Sequence, residues 1–478
     1  MLPHLPALRR GKPYASLDQT QVHDCRTGQP LARISQVNSG IIRKDLARTS
    51  EARAALKGLT CEELIEICRK AAGLFLNETL PAGGQGHSQS PDEYIETLSA
   101  TTGLPWVMAQ RNSEKLGHVL GNMGLILNGL TRGLDLAILD RGLGEQHGRR
   151  LAFYATTQCL GLVMPSNSPG VNSLWLPAIP LKIPVVLKPG RDDPWTPYRL
   201  LQALVAAGCP PAALGFYPTD HEGAAEILHG CGRALVFGDT SATAPYANNP
   251  AIQIHGPGLS KIVIGEDQIH RWREFVDLMV SSIAENGGRS CINASVILVP
   301  KHGAEIAETL ARELGPVMPR PASAMSAQLS AFANPSMAER IDAAIEEGLR
   351  TPGAVEITAK HRDGPRKVTL GGAVYLRPTL VLCDSFAHPL ANREFLFPYA
   401  SLLETPQAGM LEQLGPSLVV TAITQDPAFR QSLLESPLIQ RLNLGPIPTT
   451  RVSWDQPHEG NLFEFLYRRR AIEVSDGL

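Results

Sequence analysis

The chain has 478 residues, a length that predicts two or three domains rather than one hydrophobic core. Apolar residues make up 43% of it and charged residues 19%, which is typical of a globular protein, and the formal net charge is −2. Such a balance gives no electrostatic reason to expect nucleic acid or a membrane as partner, and no apolar run approaches the roughly 18 residues that span a bilayer.

Cysteine usage predicts a reduced protein. None of the eight cysteines forms a C-x-x-C pair, and no histidine spacing is typical of a metal site, so we predict no bound metal. The first residues are broken by prolines and lack the apolar run of a signal peptide. We therefore expect a cytoplasmic protein.

The first 160 residues predict helices followed by a hairpin. Residues 61–77 and most of 93–127 have helical patterns, and a Gly-rich loop, PAGGQGHSQSP, separates them at 81–91. The segments LDLAILD and RLAFYATT then predict two strands around a turn. Because an isolated hairpin is marginal in water, this projecting element predicts an oligomer contact.

From Cys159 onward, short apolar runs alternate with helices. Thr196 is a predicted N-cap with Pro197 in the first turn, and a second helix runs from Asp220 to Leu228 with Gly230 as its stop. This alternation predicts a parallel sheet with helices on both faces and ligands at the carboxyl ends of its strands. The predicted strands are CLGLVM (159–164), IPVVLK (183–188), LGFY (214–217), ALVF (234–237) and AIQI (251–254).

A second α/β region begins near residue 261 with the predicted strand KIVIG. Apolar residues from Trp272 to Ile283 recur at helical spacing, and Asn-Gly-Gly at 286–288 ends this helix. Cys291 follows, and SVILV (295–299) is the next predicted strand. A cysteine in a Gly-rich turn can be exposed and can have its thiolate stabilised by backbone N–H groups, so Cys291 is a candidate nucleophile. The alternative is a cysteine that only packs.

Three segments, in this order, resemble the aldehyde dehydrogenase superfamily: GLVMPSNSPG with LWLPAIPLKIPVVLKPG, then GGRSCINASVILVP, then REFLFPYASL. The resemblance implies an α/β fold with a Rossmann-like cofactor domain, an α/β catalytic domain and a small β oligomerisation element. The expected boundaries are 1–130 and 159–256 for the NAD(P)-binding domain, 257–442 for the catalytic domain, and 131–158 with 443–478 for the oligomerisation element. A homodimer or homotetramer is implied.

The same resemblance implies roles for individual residues. Cys291 would attack an aldehyde carbon, and the side chain of Asn167 with the backbone N–H of Cys291 would form the oxyanion hole. Lys188 would hold the adenosine ribose of NAD or NADP, and Glu394 the nicotinamide ribose. Each has a plainer alternative: a turn residue for Asn167, a solvated strand end for Lys188 and a surface charge for Glu394.

The cofactor side contains further candidates and departures from the family. Pro165 lies in the turn of the first segment, and Thr240 lies in FGDTSAT (237–243), where the family usually has Phe-Thr-Gly-Ser. Arg191 replaces a glutamate that is common in NAD-preferring members, which favours acceptance of NADP because a guanidinium can pair with its 2′-phosphate. Leu396 stands where the family usually has phenylalanine.

The segment HGPGLSK (255–261) departs most from the family. His255 stands where hydrolytic members have the glutamate that activates water, and Gly-Pro-Gly is closer to CoA-acylating members. We therefore predict a Cys291 thioester that is released to CoA, or the reverse reaction of an acyl-CoA reductase. Two alternatives stay open: a hydrolytic enzyme with His255 or Glu464 as base, and a degenerate, non-catalytic member.

Overall fold

The computed structural model describes residues 2–84 and 86–475, and its centre is a pair of seven-stranded sheets. The first sheet has five parallel strands, all at the predicted places, and two antiparallel strands at one edge. Its strands, in spatial order, are Ile252–His255, Arg233–Phe237, Leu160–Val163, Val185–Lys188, Leu214–Phe216, Ala7–Arg9 and Lys12–Tyr14.

The second sheet carries the nucleophile region and is parallel except at one edge strand. Its spatial order is Ala354–Glu356, Thr379–Cys383, Tyr399–Glu404, Ala294–Val299, Ser260–Ile264, Ser417–Ile423 and Ile439–Leu444. Apolar clusters cover both faces of this sheet, so its central strands are buried throughout.

Smaller sheets complete the β structure. They are Tyr467–Arg470 with Arg149–Ala155 and Leu143–Gln146; His4–Leu5 with Pro30–Ser35 and Gln19–His23; Lys367–Leu370 with Ala373–Leu376; and Leu80–Pro81 with Ser88–Gln89.

Helices flank the sheets and bury one apolar face each. The α-helices are Ser39–Leu46, Thr49–Lys57, Cys61–Asn77, Pro91–Thr102, Trp106–Gly121, Met123–Leu130, Ala137–Arg141, Trp195–Ala206, His221–Gly230, Thr240–Thr243, Val276–Ala284, Gly303–Leu314, Pro335–Arg350, Gln407–Leu414, Pro427–Glu435 and Leu462–Leu466. Within the described ranges, no helix combines the length and the apolar character needed to cross a membrane.

Two local predictions were wrong. The segment LDLAILD contains the helix Ala137–Arg141 instead of a strand, and the hairpin is Leu143–Gln146 with Arg149–Ala155. Ile138 is fully buried within this single turn, and Gly142 at φ 76° ends it. Thr196 does not cap its helix, which begins at Trp195; the carboxylate of Asp193 accepts the N–H of Thr196 at 2.9 Å instead.

The predicted helix at 272–283 is also less regular than its apolar spacing indicated. Its first part is the 3₁₀ segment Ile269–Phe275, and α-helix begins only at Val276. The last strand of the second sheet, Ile439–Leu444, extends two residues past the expected boundary at 442.

Candidate active site

The turn that presents Cys291 has a left-handed backbone. Asn286, Gly287 and Gly288 have φ angles of 55°, 67° and 67°, which end the preceding helix. At Gly288 an added Cβ would lie 2.3 Å from the backbone nitrogen of Pro398, so glycine is required for space as well as for conformation. The chain therefore turns sharply before Cys291, as predicted.

Asn293 fastens the other side of this turn. Its Oδ1 accepts the N–H of Ser290 at 2.9 Å, and its Nδ2 donates to the carbonyls of Ser282 and Glu285, both at 3.0 Å. These bonds tie the turn to the end of the helix Val276–Ala284. The position of Cys291 is thus held by buried hydrogen bonds rather than by a free loop.

Cys291 opens onto a cavity of about 630 Å³ that several predicted residues share. Asn167, His255, Glu394 and Pro165 all line it. They come from both sheets and from the loop before strand Tyr399–Glu404. The structure therefore brings together predicted site residues that lie far apart in the sequence.

The electrostatics around Cys291 favour the neutral thiol in the isolated protein. Burial raises the pKa of the thiol, and the negative charges of Glu394 and Glu459 raise it further. The backbone carbonyl of Cys291 accepts the hydroxyl of Ser260 at 2.8 Å, which anchors the residue to the second sheet. A base or a positive charge is needed before this thiol becomes a strong nucleophile.

Asn167 lies in the turn that follows strand Leu160–Val163. Its Nδ2 donates to the carbonyl of Arg289 at 2.9 Å, two residues before Cys291. Its Oδ1 is buried and has no hydrogen-bond partner among the described residues. An amide nitrogen carries two hydrogens, so one remains for a ligand in the cavity.

Glu394 is partly buried. Its Oε2 accepts the N–H of Leu259 at 2.7 Å, and Gly258 also donates to it. Burial raises its pKa to about 7, and these backbone hydrogen bonds act in the opposite direction. Lys261 lies close by, and burial lowers its pKa to about 7 as well. The carboxyl group of Glu394 can therefore gain or lose a proton near neutral pH.

His255 meets a carboxylate that the sequence did not point to. Oε2 of Glu459 lies 2.5 Å from Nδ1 of His255, although the contact lacks the alignment of a hydrogen bond. The imidazole stacks on Phe237, with ring centroids 4.4 Å apart and planes inclined by 15°. Both His255 and Glu459 line the cavity that holds Cys291.

A second, small cavity of about 60 Å³ touches the same pair. His255 and Glu459 belong to its lining, together with Arg441 and His458. Burial lowers the pKa of His458 to about 3, and the charges of Arg441 and His255 add to this, so His458 is neutral at physiological pH. Nδ1 of His458 and both ring nitrogens of His255 are buried without an aligned hydrogen-bond partner in the described chain.

The remaining predicted cofactor residues lie outside the lining of the large cavity. Lys188 ends strand Val185–Lys188 and is partly buried, and burial, with the charge of Arg191, lowers its pKa. Arg191 is exposed and forms no ion pair within 2–84 and 86–475. Thr240 begins the four-residue helix Thr240–Thr243 and is exposed.

The residues present fit a nicotinamide dinucleotide only in part. Lys188 and Glu394 supply groups that suit ribose hydroxyls at the carboxyl ends of the strands. In FGDTSAT (237–243), the turn that the resemblance implies for the pyrophosphate, however, the carboxylate of Asp239 accepts the hydroxyl of Ser241 at 2.6 Å and the N–H of Ala242 at 2.9 Å. These hydrogen bonds lower the pKa of Asp239, so a negative charge occupies the place expected for a phosphate.

Glu464, the other predicted candidate base, lies on the short helix Leu462–Leu466. Its side chain is 52% exposed and pairs with Arg132 at 2.6 Å. It is not part of the lining of either cavity. Glu459 and His458, five and six residues earlier, take the position at the cavity that sequence reasoning had considered for Glu464. The only local signal for them is the cluster of polar residues in WDQPHEGN (454–461).

Comparison with solved structures shows which fold this is. The aldehyde dehydrogenase KauB from Pseudomonas aeruginosa is 15% identical with a TM-score of 0.79, covering 99% of this chain and 97% of KauB. An indole-3-acetaldehyde dehydrogenase complexed with NAD+ is 16% identical with a TM-score of 0.76, covering 98% of this chain and 96% of its own. A 3,6-anhydro-L-galactose dehydrogenase is 14% identical with a TM-score of 0.77, covering 98% of this chain and all of that one.

Sequence comparison is decisive at the level of the family only. No curated protein sequence matched this chain. The family model described as "Aldehyde dehydrogenase family" matches residues 14–405, most of the length of the chain. The chain belongs to the aldehyde dehydrogenase family.

Proposed function

We propose that this protein oxidises an aldehyde with NAD or NADP through a thioester on Cys291. The observation that carries the proposal is that Cys291, Asn167 and Glu394 line one cavity. A nucleophile, an amide donor and a carboxylate in one enclosed site are what covalent aldehyde oxidation requires. Their common location also counts against the alternative of a degenerate, non-catalytic member.

The first step needs only residues of this chain. A base in the cavity takes the thiol proton, Sγ of Cys291 bonds to the carbonyl carbon of the aldehyde, and the carbonyl oxygen becomes an oxyanion on a tetrahedral carbon. The free hydrogen on Nδ2 of Asn167 and the backbone N–H of Cys291 donate to that oxyanion. Because Asn167 is already tied to the carbonyl of Arg289, its amide is held in place before the substrate binds.

Lys188 and Glu394 would hold the ribose hydroxyls of the dinucleotide; Glu394 and Pro165 line the large cavity, and Lys188 lies outside its lining. When bound, the nicotinamide ring supplies the acceptor for the hydride that leaves the tetrahedral carbon, which makes the Cys291 adduct a thioester. Glu394 would have to give up its present hydrogen bond to Leu259 to reach a ribose. The exposed Arg191 would lie near the adenosine ribose and favour NADP.

CoA is a candidate acceptor of the acyl group. Position 255 carries no carboxylate, and Gly256 and Pro257 line the cavity beside Cys291, which favours a bulky thiol. The same enzyme could then run in reverse as an acyl-CoA reductase. Water is the other acceptor, with His255 as the base, and a separate set of contacts supports it.

Replacement of the nucleophile tests the proposal. Cys291→Ala should reduce NAD(P)H formation by several decades, since the thiolate is needed for covalent chemistry, and should keep binding of NAD(P)H. Cys25→Ala is the matched control, because this cysteine is not part of either cavity lining. If Cys291→Ala kept more than about a tenth of wild-type turnover, the covalent mechanism would be wrong.

A further inference from the structure

The wall of the large cavity contains an imidazole and a carboxylate in close contact, His255 and Glu459, beside Cys291. We propose that Glu459 and His255 act together to activate the water that hydrolyses the acyl group on Cys291. The inference rests on the thioester of the proposed function and names water as its acceptor. It gives Glu459 a role in positioning the base, and His255 the role of the base itself.

The contacts of His255 orient its ring. The carboxylate of Glu459 lies 2.5 Å from Nδ1, and the stacking on Phe237 limits rotation of the imidazole plane. A carboxylate at Nδ1 favours the tautomer that has its proton there, which leaves Nε2 with a free lone pair. The side chains are only 8% and 21% exposed, so bulk solvent screens this pair weakly.

There is also room for water next to the pair. The small cavity of about 60 Å³ borders His255, Glu459 and His458. A buried water needs roughly 10–15 Å³ of such space and two to four polar partners. Nε2 of His255 and Nδ1 of His458 are buried without aligned partners among the described residues, so they are suitable partners for water.

A second histidine and an arginine lie next to the pair. Arg441 lies on strand Ile439–Leu444, and its guanidinium donates to the carbonyl of Pro457 at 2.7 Å. This hydrogen bond anchors the segment that carries Glu459. His458 is neutral because of its burial and adjacent positive charge.

The step balances without another reactant. Nε2 of His255 takes a proton from water as the water oxygen bonds to the carbonyl carbon of the thioester. The carbon–sulfur bond then breaks, the carboxylic acid leaves, and the proton on His255 passes to Sγ of Cys291. Water is thus consumed, and both side chains return to their starting protonation states.

The experiment is rapid-mixing kinetics of the full-length enzyme with an aldehyde and NAD(P), in the absence of any thiol. Wild-type enzyme should turn over steadily. Glu459→Gln should keep a burst of about one NAD(P)H per site and then slow by about a hundredfold, at the low end of general base catalysis. Addition of CoA or 2-mercaptoethanol should restore its turnover, since a thiol does not need the base in the same way.

Three further variants separate positioning from folding. His255→Asn should behave like Glu459→Gln, Glu459→Asp should recover part of the slow step, and Glu435→Gln, an exposed glutamate on another helix, should match wild type. Equal slowing of burst and steady phases by Glu459→Gln would overturn the inference, as would normal turnover in that variant. So would slow deacylation in Glu464→Gln alone.

The outcomes also distinguish this inference from the proposed function. If wild-type enzyme gives a burst and then stalls until CoA is added, the thioester stands and the water route is wrong. If no burst, no turnover and no acyl adduct on Cys291 are found with any aldehyde of a broad panel, with or without CoA, the proposed function itself fails.

Discussion

The closest backbone approach in the active site involves Gly258 and predicts a large effect from a single methyl group. A Cβ at this position would lie 1.9 Å from the carbonyl oxygen of Cys291 and 2.7 Å from its carbonyl carbon. The carbonyl of Gly258 is held by the N–H of Leu418 at 2.7 Å, so the loop is fixed to the second sheet on its other side. The backbone of Cys291 must therefore move to relieve the clash.

The size of the effect follows from these distances. Real Cβ contacts are essentially never shorter than 3.0 Å, so Gly258→Ala must move the backbone at position 258 and the backbone of Cys291 apart by about 1.1 Å. A misplacement of about 1 Å at a reacting group costs roughly a hundredfold in rate, or about 2.7 kcal/mol of transition-state stabilisation. We expect kcat/KM of Gly258→Ala to fall by about that factor while NAD(P)H binding changes little.

Steady-state kinetics and thermal unfolding together check this expectation. Gly256→Ala is the matched control, because its nearest contact, with a methyl of Ile254, would be an ordinary 3.9 Å. We expect a far smaller loss there. If Gly258→Ala retained kcat/KM within a few fold of wild type, the nucleophile would not depend on this packing. If its loss were matched by early unfolding, the cause would be stability instead of placement.

Three other predictions follow from the structure. Arg191 is exposed and unpaired in the described chain, so NADP should be used at least as well as NAD. The variant Arg191→Glu should lower kcat/KM for NADP about tenfold or more. A tenfold preference of the wild-type enzyme for NAD would contradict this prediction. The strand Leu143–Gln146 leaves a free sheet edge, so light scattering should detect a dimer or tetramer, and a monomer at micromolar concentration would refute it. Glu394 has a folded-state pKa raised to about 7, so it binds more protons folded than unfolded, and its contribution to stability is lost as pH rises from about 4.5 to 7. Glu394→Gln should remove that part of the pH dependence in urea unfolding, while the titration of Lys261, whose pKa is lowered, contributes above pH 7 in both proteins.

Local signals were sufficient for the parts of the fold that carry Cys291. Buried parallel strands have continuous apolar runs, and Asn-Gly-Gly is a strong helix stop, so the five parallel strands of the first sheet and the nucleophile turn were predicted at their places. The strands Ala7–Arg9 and Lys12–Tyr14 were missed because they are three residues long and have no alternating pattern. Pairing with strand Leu214–Phe216 stabilises them.

The candidate site was predictable only where the family has a motif. Cys291, Asn167 and Glu394 lie in such segments, and the structure places them on one cavity. Glu459 lies in a segment without regular structure, far from His255 in the chain, and only folding brings the two together. The cap was predicted at Thr196 instead of Asp193 because both residue types are common helix caps, and the helix begins one residue earlier than expected.

The choice between CoA and water depends on the whole cavity and not on one aligned position. The sequence argument for a thiol had two parts: no carboxylate at 255, and small residues in Gly-Pro-Gly that would widen the pocket. The structure supplies a carboxylate to the same imidazole from Glu459, a different element of the chain. The structure also explains by packing why position 258 is a glycine, because the carbonyl of Cys291 lies where a side chain would be. A small residue at that position is then required for the nucleophile turn, whichever acceptor is used, and no longer counts as a sign of a passage for CoA. Both parts of the thiol argument weaken for physical reasons, and the contact between His255 and Glu459 supports the proposal that water is the acceptor.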